Sequence, residues 1–273
     1  MAQLSQINRH WIFLSVAVAL VVTLLYPFDQ PIKPSPDVRD TFQSIEELPE
    51  GAAVFMAFDF DPASKAELVP ITKAVLEHCF RRDLRVIGMT FWPKGADLAG
   101  RLVREAAAKY NKERGVDYAY LGYKPGPWPQ IITNLGENIT STFPQDDRGE
   151  RTANMEIFSD VRNLRDVNYM VALEAGEVYE YWIVYGGDKY GFPMSVGCTA
   201  VMGPDMYVYT NTGQLDGIIA GLRGAADYEV LLGEPGEGVK GMPAQSTVHA
   251  IIILFIIVGN VVYFWQRRTQ GGE

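Results

Sequence analysis

Only two cysteines and three histidines occur in 273 residues. Cys79 and Cys198 form no C-x-x-C pair, so no metal cluster or vicinal redox pair is spelled out. Both fall on predicted buried faces, where a thiol behaves as a small hydrophobe. His78 is the sole histidine between the two long apolar runs, and its place on a helix beside Cys79 reads as a satisfied surface histidine. A Ser-His-Asp triad and a histidine-rich metal site are argued against by that scarcity. No G-x-G-x-x-G follows a strand and no Walker A loop is present, which removes dinucleotide and P-loop readings. Cations are also few, with 24 Lys and Arg against 33 Asp and Glu for a net charge of −9. A nucleic-acid partner, which needs a basic footprint, is not expected.

Two uncharged apolar runs stand out, Trp11 to Phe28 and Val248 to Trp265. Each holds about 18 residues, close to the short end of what crosses a hydrocarbon core about 30 Å thick. Trp11, Tyr26, Tyr263, Phe264 and Trp265 mark their ends, as amphipathic rings do at headgroup level. Bulky Leu25-Tyr26-Pro27-Phe28 offers no signal-peptide cleavage site, so the first run reads as an uncleaved anchor. The segments are then a tail (1–10), a span (11–28), a Pro-rich linker (29–36), a domain (37–233), a Gly/Pro-rich flexible linker (234–247), a second span (248–265) and a tail (266–273). Arg9, Arg267 and Arg268 lie next to the apolar cores, which favours cytoplasmic termini and an extracytoplasmic domain. Setting aside those three arginines and Glu273 leaves 21 basic and 32 acidic residues on the domain side, about −11. Such a surface does not adhere to anionic lipid.

Between the runs, strand-like and helix-like patterns alternate. Ala52 to Phe60 is a continuous apolar run of strand length. Ser64-Lys-Ala-Glu67 matches a capping box and opens a helix with Leu68, Ile71, Val75, Cys79 and Phe80 on one stripe. Further strands are predicted at 85–92, 117–123, 168–173 and 195–202, with a helix carrying Leu98, Leu102, Val103, Ala106 and Tyr110 on one face, another starting near 127 to 129, and others spanning 155–164, 178–185 and 214–231. This alternation predicts a single α/β domain, Rossmann-like in the broad sense, with a mainly parallel sheet of about five strands, helices on both faces and two flanking transmembrane helices. In such sheets ligands lie beyond the carboxyl ends of the strands. That rule nominates Asp59, Asp61, Thr90, Trp92, Lys94, Tyr123, Lys124 and Glu174 as ligand-binding candidates.

Phe58-Asp59-Phe60-Asp61 is the sharpest local pattern. It resembles the first motif of haloacid-dehalogenase-type phosphohydrolases, and Thr90 sits where that superfamily places a phosphate-binding hydroxyl. The resemblance implies Asp59 as nucleophile, Asp61 as acid/base, Lys124 as a neutralising cation, and Mg²⁺ as cofactor with Asp146 or Asp147 as further ligands. Covalent phosphoryl transfer needs such a carboxylate, metal and cation. Pro62-Ala63 stands where that family carries Gly-Thr.

Gly213, Gly217, Gly221 and Gly224 fall at helical spacing, the first just before and the others within the predicted helix 214–231. Each interior glycine costs a helix about 1 kcal/mol relative to alanine. Close approach of another backbone, from the domain itself or from a partner, is the expected reason. Asn260, the one strongly polar residue in the second run, is a second interface candidate. Asn138-Ile139-Thr140 matches a glycosylation acceptor. The leading expectation is a membrane-anchored, non-enzymatic module without cofactor, a homo-oligomer or a subunit with a partner membrane protein, or a binder of a small molecule. The alternative is the Mg²⁺-dependent phosphohydrolase.

Overall fold

The computed structural model describes residues 9–270 apart from Pro27 and Asp29, and the side chains of Gln266, Thr269 and Gln270 are left out. The expected tails, from residue 1 to 8 and from 271 to 273, therefore lie outside the described residues. In chain order the helices are α1 (Arg9–Leu25), α2 (Pro36–Glu46), α3 (Lys65–Arg81), α4 (Ala96–Lys109), α5 (Trp128–Glu137), α6 (Ile139–Thr142), α7 (Ile157–Asp160), α8 (Val178–Trp182), α9 (Asp188–Tyr190), α10 (Gly203–Asn211), α11 (Gly221–Leu232) and α12 (Glu237–Gln270). The strands are β1 (Ala53–Asp59), β2 (Arg85–Thr90), β3 (Tyr118–Tyr123), β4 (Tyr169–Glu174), β5 (Met194–Cys198) and β6 (Gly217–Ala220). The chain forms two compact units, Ile32–Val239 and the remainder at the two ends.

In the first unit all six strands are parallel and run in the order β3-β2-β1-β4-β5-β6. This is the doubly wound Rossmann order, in which the chain reverses direction across the sheet after β3. The reversal leaves a switch point between the carboxyl ends of β1 and β4. Period-two alternation divides the core: Ala53, Phe55 and Ala57 of β1 join the cluster on one face, and Val54, Met56 and Phe58 that on the other. α2, α3, α4 and α11 supply the second face, through Ile45, Leu68, Ile71, Leu102 and Tyr228 among others. A fully buried side chain of this size contributes about 2 kcal/mol. Neither rim of the sheet is a long open edge. On β3 the Tyr120 carbonyl accepts from Asp147 N at 3.1 Å, and β6 has only 4 residues.

Several predicted elements differ. The helix expected over 214–231 is a strand followed by a helix. Ile218 and Ile219 pair with β5, and Gly221 turns the chain with φ of +62°. Gly217 packs inward, since a Cβ there would stand 2.2 Å from the Asp37 carbonyl of α2. Gly224 likewise lies against Ile219, and Gly213 is a turn residue outside any helix. No helical glycine seam exists. The helix expected at 155–164 breaks into short turns around α7. The strand expected through Met202 ends at Cys198, and α10 follows. The capping box does not form: Asp61 caps the turn after β1 through Ala63 N, and Glu67 accepts from Ala200 N at 2.8 Å instead. His78 is not on the surface. It is fully buried between Tyr228 and Glu46, at 2.7 Å from each, and stacked on Phe42.

Residues 237–247, expected as flexible linker, are helical as the opening of α12. The second unit contains α1 and most of α12. Within it Thr23 Oγ1 lies 3.3 Å from Thr247 Oγ1, and Ser246 donates to Gln30 at 3.0 Å. One helix, Glu237–Trp265, is long and apolar enough to cross a membrane, with mean hydropathy 2.3 over its best 18 residues. α1 is apolar but shorter, at 17 residues. Asn260 on α12 donates to its own helix at Ile256 O, 2.9 Å away.

Candidate functional site at the carboxyl edge of the sheet

The switch point holds two acids. Asp59 ends β1 and Glu174 ends β4, and the two residues pair directly across the ladder. Neither is exposed. Asp59 accepts from Phe91 N at 2.6 Å, from Thr90 Oγ1 at 3.2 Å and from Trp182 Nε1 at 3.5 Å. Burial pushes its carboxyl up to about 6, with those three donors, and the Glu174 carboxyl beside it, pulling the other way. Glu174 has no comparable support, for neither carboxylate oxygen has a hydrogen-bond partner among the described residues. Burial first, then the charge of Asp59 and the contact between the two carboxyls, pushes Glu174 well above the usual carboxylate range. Two desolvated like charges side by side disfavour full ionisation of the pair, which is why the Glu174 carboxyl is the one pushed furthest towards its neutral form.

Above the pair the surface is closed. The Trp182 ring, fully buried, packs on Phe55 and Phe91 with centroids 5.5 and 5.7 Å apart. Trp92 folds over Gly176, where a Cβ would meet its ring at 2.8 Å. The single Thr90 hydroxyl proton is shared between Phe58 O at 2.7 Å and the Asp59 carboxylate at 3.2 Å, while Thr90 Oγ1 accepts from Trp92 N at 2.9 Å. Asp61 is a cap and Lys94 is exposed.

Tyr123 and Lys124 stand elsewhere, in an open cleft of about 900 Å³ beyond β3. Its floor includes Tyr120 and Leu121, and its far wall Phe143, Pro144 and Arg151. Lys124 is half-buried, lies 5.0 Å above the Phe143 ring and donates to Thr142 O. Asp146 and Asp147 also line the cleft, but each already has a cation, Arg114 at 2.8 Å and Arg104 at 2.6 Å. Tyr123 is 40% exposed, which leaves a ring edge for a ligand. The structure thus joins Asp59, Thr90, Trp92 and Glu174 at one point and Tyr123 and Lys124 at another. Among the described residues no group of three or more His, Cys, Asp or Glu could hold a metal ion.

Sequence reasoning missed Trp182, which sits in the ambiguous stretch 178–185, and the segment Phe143 to Arg151, whose polar residues gave no periodic signal. Cys79 and Cys198 are buried free thiols, and burial pushes both up to about 12. No protein-family model matches the chain, and no similar curated protein or solved structure was found.

Proposed function

We propose that the chain is a membrane-anchored, non-enzymatic α/β module that binds a small ligand in the cleft beyond β3, acting as a component of a membrane assembly. The observation that carries this reading is the open cleft lined by Tyr123 and Lys124, in contrast to an acid pair that lies apart from it and that solvent does not reach. Pockets of this volume suit small molecules. Two spans, formed by α1 and α12 with cytoplasmic termini, complete the reading, supported by the apolar character of both helices and by the arginines flanking their cores. The test is thermal shift of the purified full chain against nucleotides, sugar phosphates and dicarboxylates. A compound that raises Tm in the parent but not in Tyr123→Ala or Lys124→Ala supports the cleft. A hit unaffected by both substitutions sends the site elsewhere.

A second reading, the Mg²⁺-dependent phosphohydrolase, gains from one observation. The unpartnered carboxylate of Glu174 next to Asp59 would welcome a cation in place of its proton. Against it, Asp61 and Thr90 are committed to local hydrogen bonds, and Lys124 lines a different cavity from the acid pair. Mg²⁺-dependent hydrolysis of a generic phosphate ester, abolished by Asp59→Asn, would replace the first reading with this one.

A further inference from the structure

Helix α11 carries two buried acids, and each of them holds one end of the domain's chain. Asp227, 2% exposed, accepts from Ser35 N at 3.0 Å and from Arg223 Nε at 2.7 Å. Arg223 in turn donates to Lys33 O at 2.9 Å. The incoming segment is therefore fixed at two points two residues apart. Glu229, 4% exposed and two residues further along α11, accepts from Gly236 N, Gly238 N and Val239 N, all at 2.8 Å. The outgoing segment thus meets a carboxylate that takes three backbone donors at the opening turn of α12, where an anion is favoured.

The other end of α11 reaches the carboxyl edge of the sheet. Gly221, its first residue, follows β6 directly and lies against Ala200, just past β5. The Ala200 N–H is held by Glu67 of α3. On its flank α11 is locked to α3 and α2, because Tyr228 bonds His78 and His78 bonds Glu46.

We propose that α11 is a relay: the incoming and outgoing segments move as one piece with it, and their displacement is passed through the Gly221 turn to the strand-end edge at Ala200. The proposal goes beyond the binding role above and does not depend on what the cleft holds. The competing account is a pair of independent local caps, each steadying its own segment and nothing else.

Hydrogen exchange of the full chain in detergent separates the two. Glu229→Gln keeps the shape but replaces a charged double acceptor with one carbonyl and an amide. Ser35→Pro deletes the donor to Asp227 at a residue whose φ is −70° and ψ 157°, a conformation proline adopts freely. Exchange at residues 236–239 should rise by about tenfold in Glu229→Gln, and residues 33–39 and 199–203 should rise with them, by about threefold, while β1 and β4 stay protected. Ser35→Pro should in turn accelerate residues 236–239. Acceleration confined to residues 236–239 in Glu229→Gln and to residues 33–39 in Ser35→Pro overturns the relay. If Glu229→Gln does not fold, Ser35→Pro decides the matter alone by the same criterion.

Discussion

Asp59 and Glu174 stand opposite one another on adjacent parallel strands, both without solvent exposure, and only the aspartate has hydrogen-bond donors. Stability should therefore depend on keeping one of them protonated. A carboxyl whose folded pKa is raised binds its proton more tightly in the folded state. Its contribution is complete below the unfolded value and is lost as pH rises through the folded one. For Asp59 that window runs from 3.8 to about 6, and Glu174 extends it upward.

Glu174→Gln removes the acid and keeps the volume. Calorimetry should find the variant more stable than the parent at pH 8, by about 1 to 3 kcal/mol, with the advantage shrinking towards pH 4. A variant that is less stable at pH 8 would mean that the Glu174 carboxylate has a partner the fold requires.

His78 has the opposite sign. Burial lowers it from 6.5 to about 4, opposed by Glu46, so its contribution is present above 6.5 and lost as pH falls through 4. His78→Leu leaves the buried Tyr228 hydroxyl without its 2.7 Å partner and should cost about 2 kcal/mol at pH 7. The gap between variant and parent in urea denaturation should narrow as pH drops from 7 to 4.

Gly217→Ala and Gly213→Ala separate internal packing from an oligomer seam. The first forces a Cβ to within 2.2 Å of a backbone carbonyl, and the second has open space around a φ of +76°. Loss of about 3 kcal/mol or more is expected for Gly217→Ala and about 1 kcal/mol for Gly213→Ala. Sedimentation should show the same association state for Gly213→Ala as for the parent. A change in that state would revive the glycine interface.

Topology is settled by paired fusions. A C-terminal green fluorescent protein should be bright and a C-terminal alkaline phosphatase inactive if the termini are cytoplasmic. The reverse pattern places the domain in the cytosol.

Four of the six strands could be read almost to the residue, because Ala53–Asp59, Arg85–Thr90, Tyr118–Tyr123 and Tyr169–Glu174 are compact apolar runs between polar breaks. β6 could not. Gly217-Ile-Ile-Ala220 is too short to show a period, and its one glycine mimics a helical stripe together with Gly213, Gly221 and Gly224. α2 was hidden by the prolines before it, whose meaning changes from linker to helix start only when Pro36 occupies the first helical position. The acids at the strand ends were legible one by one. That Asp59 and Glu174 are neighbours was not, since it depends on strand order, which hydropathy does not encode. The buried state of His78 had no local signal either, because Tyr228 and Glu46 come from distant parts of the chain.

The rims of the sheet bear on how copies of the domain can meet. Proteins confined to a surface are crowded in two dimensions, and a bare strand edge there invites one copy to zip onto the next. Here the Asp147 amide occupies the β3 rim and the β6 rim offers four residues. Strand-to-strand pairing between copies of the domain is thereby disfavoured at both rims.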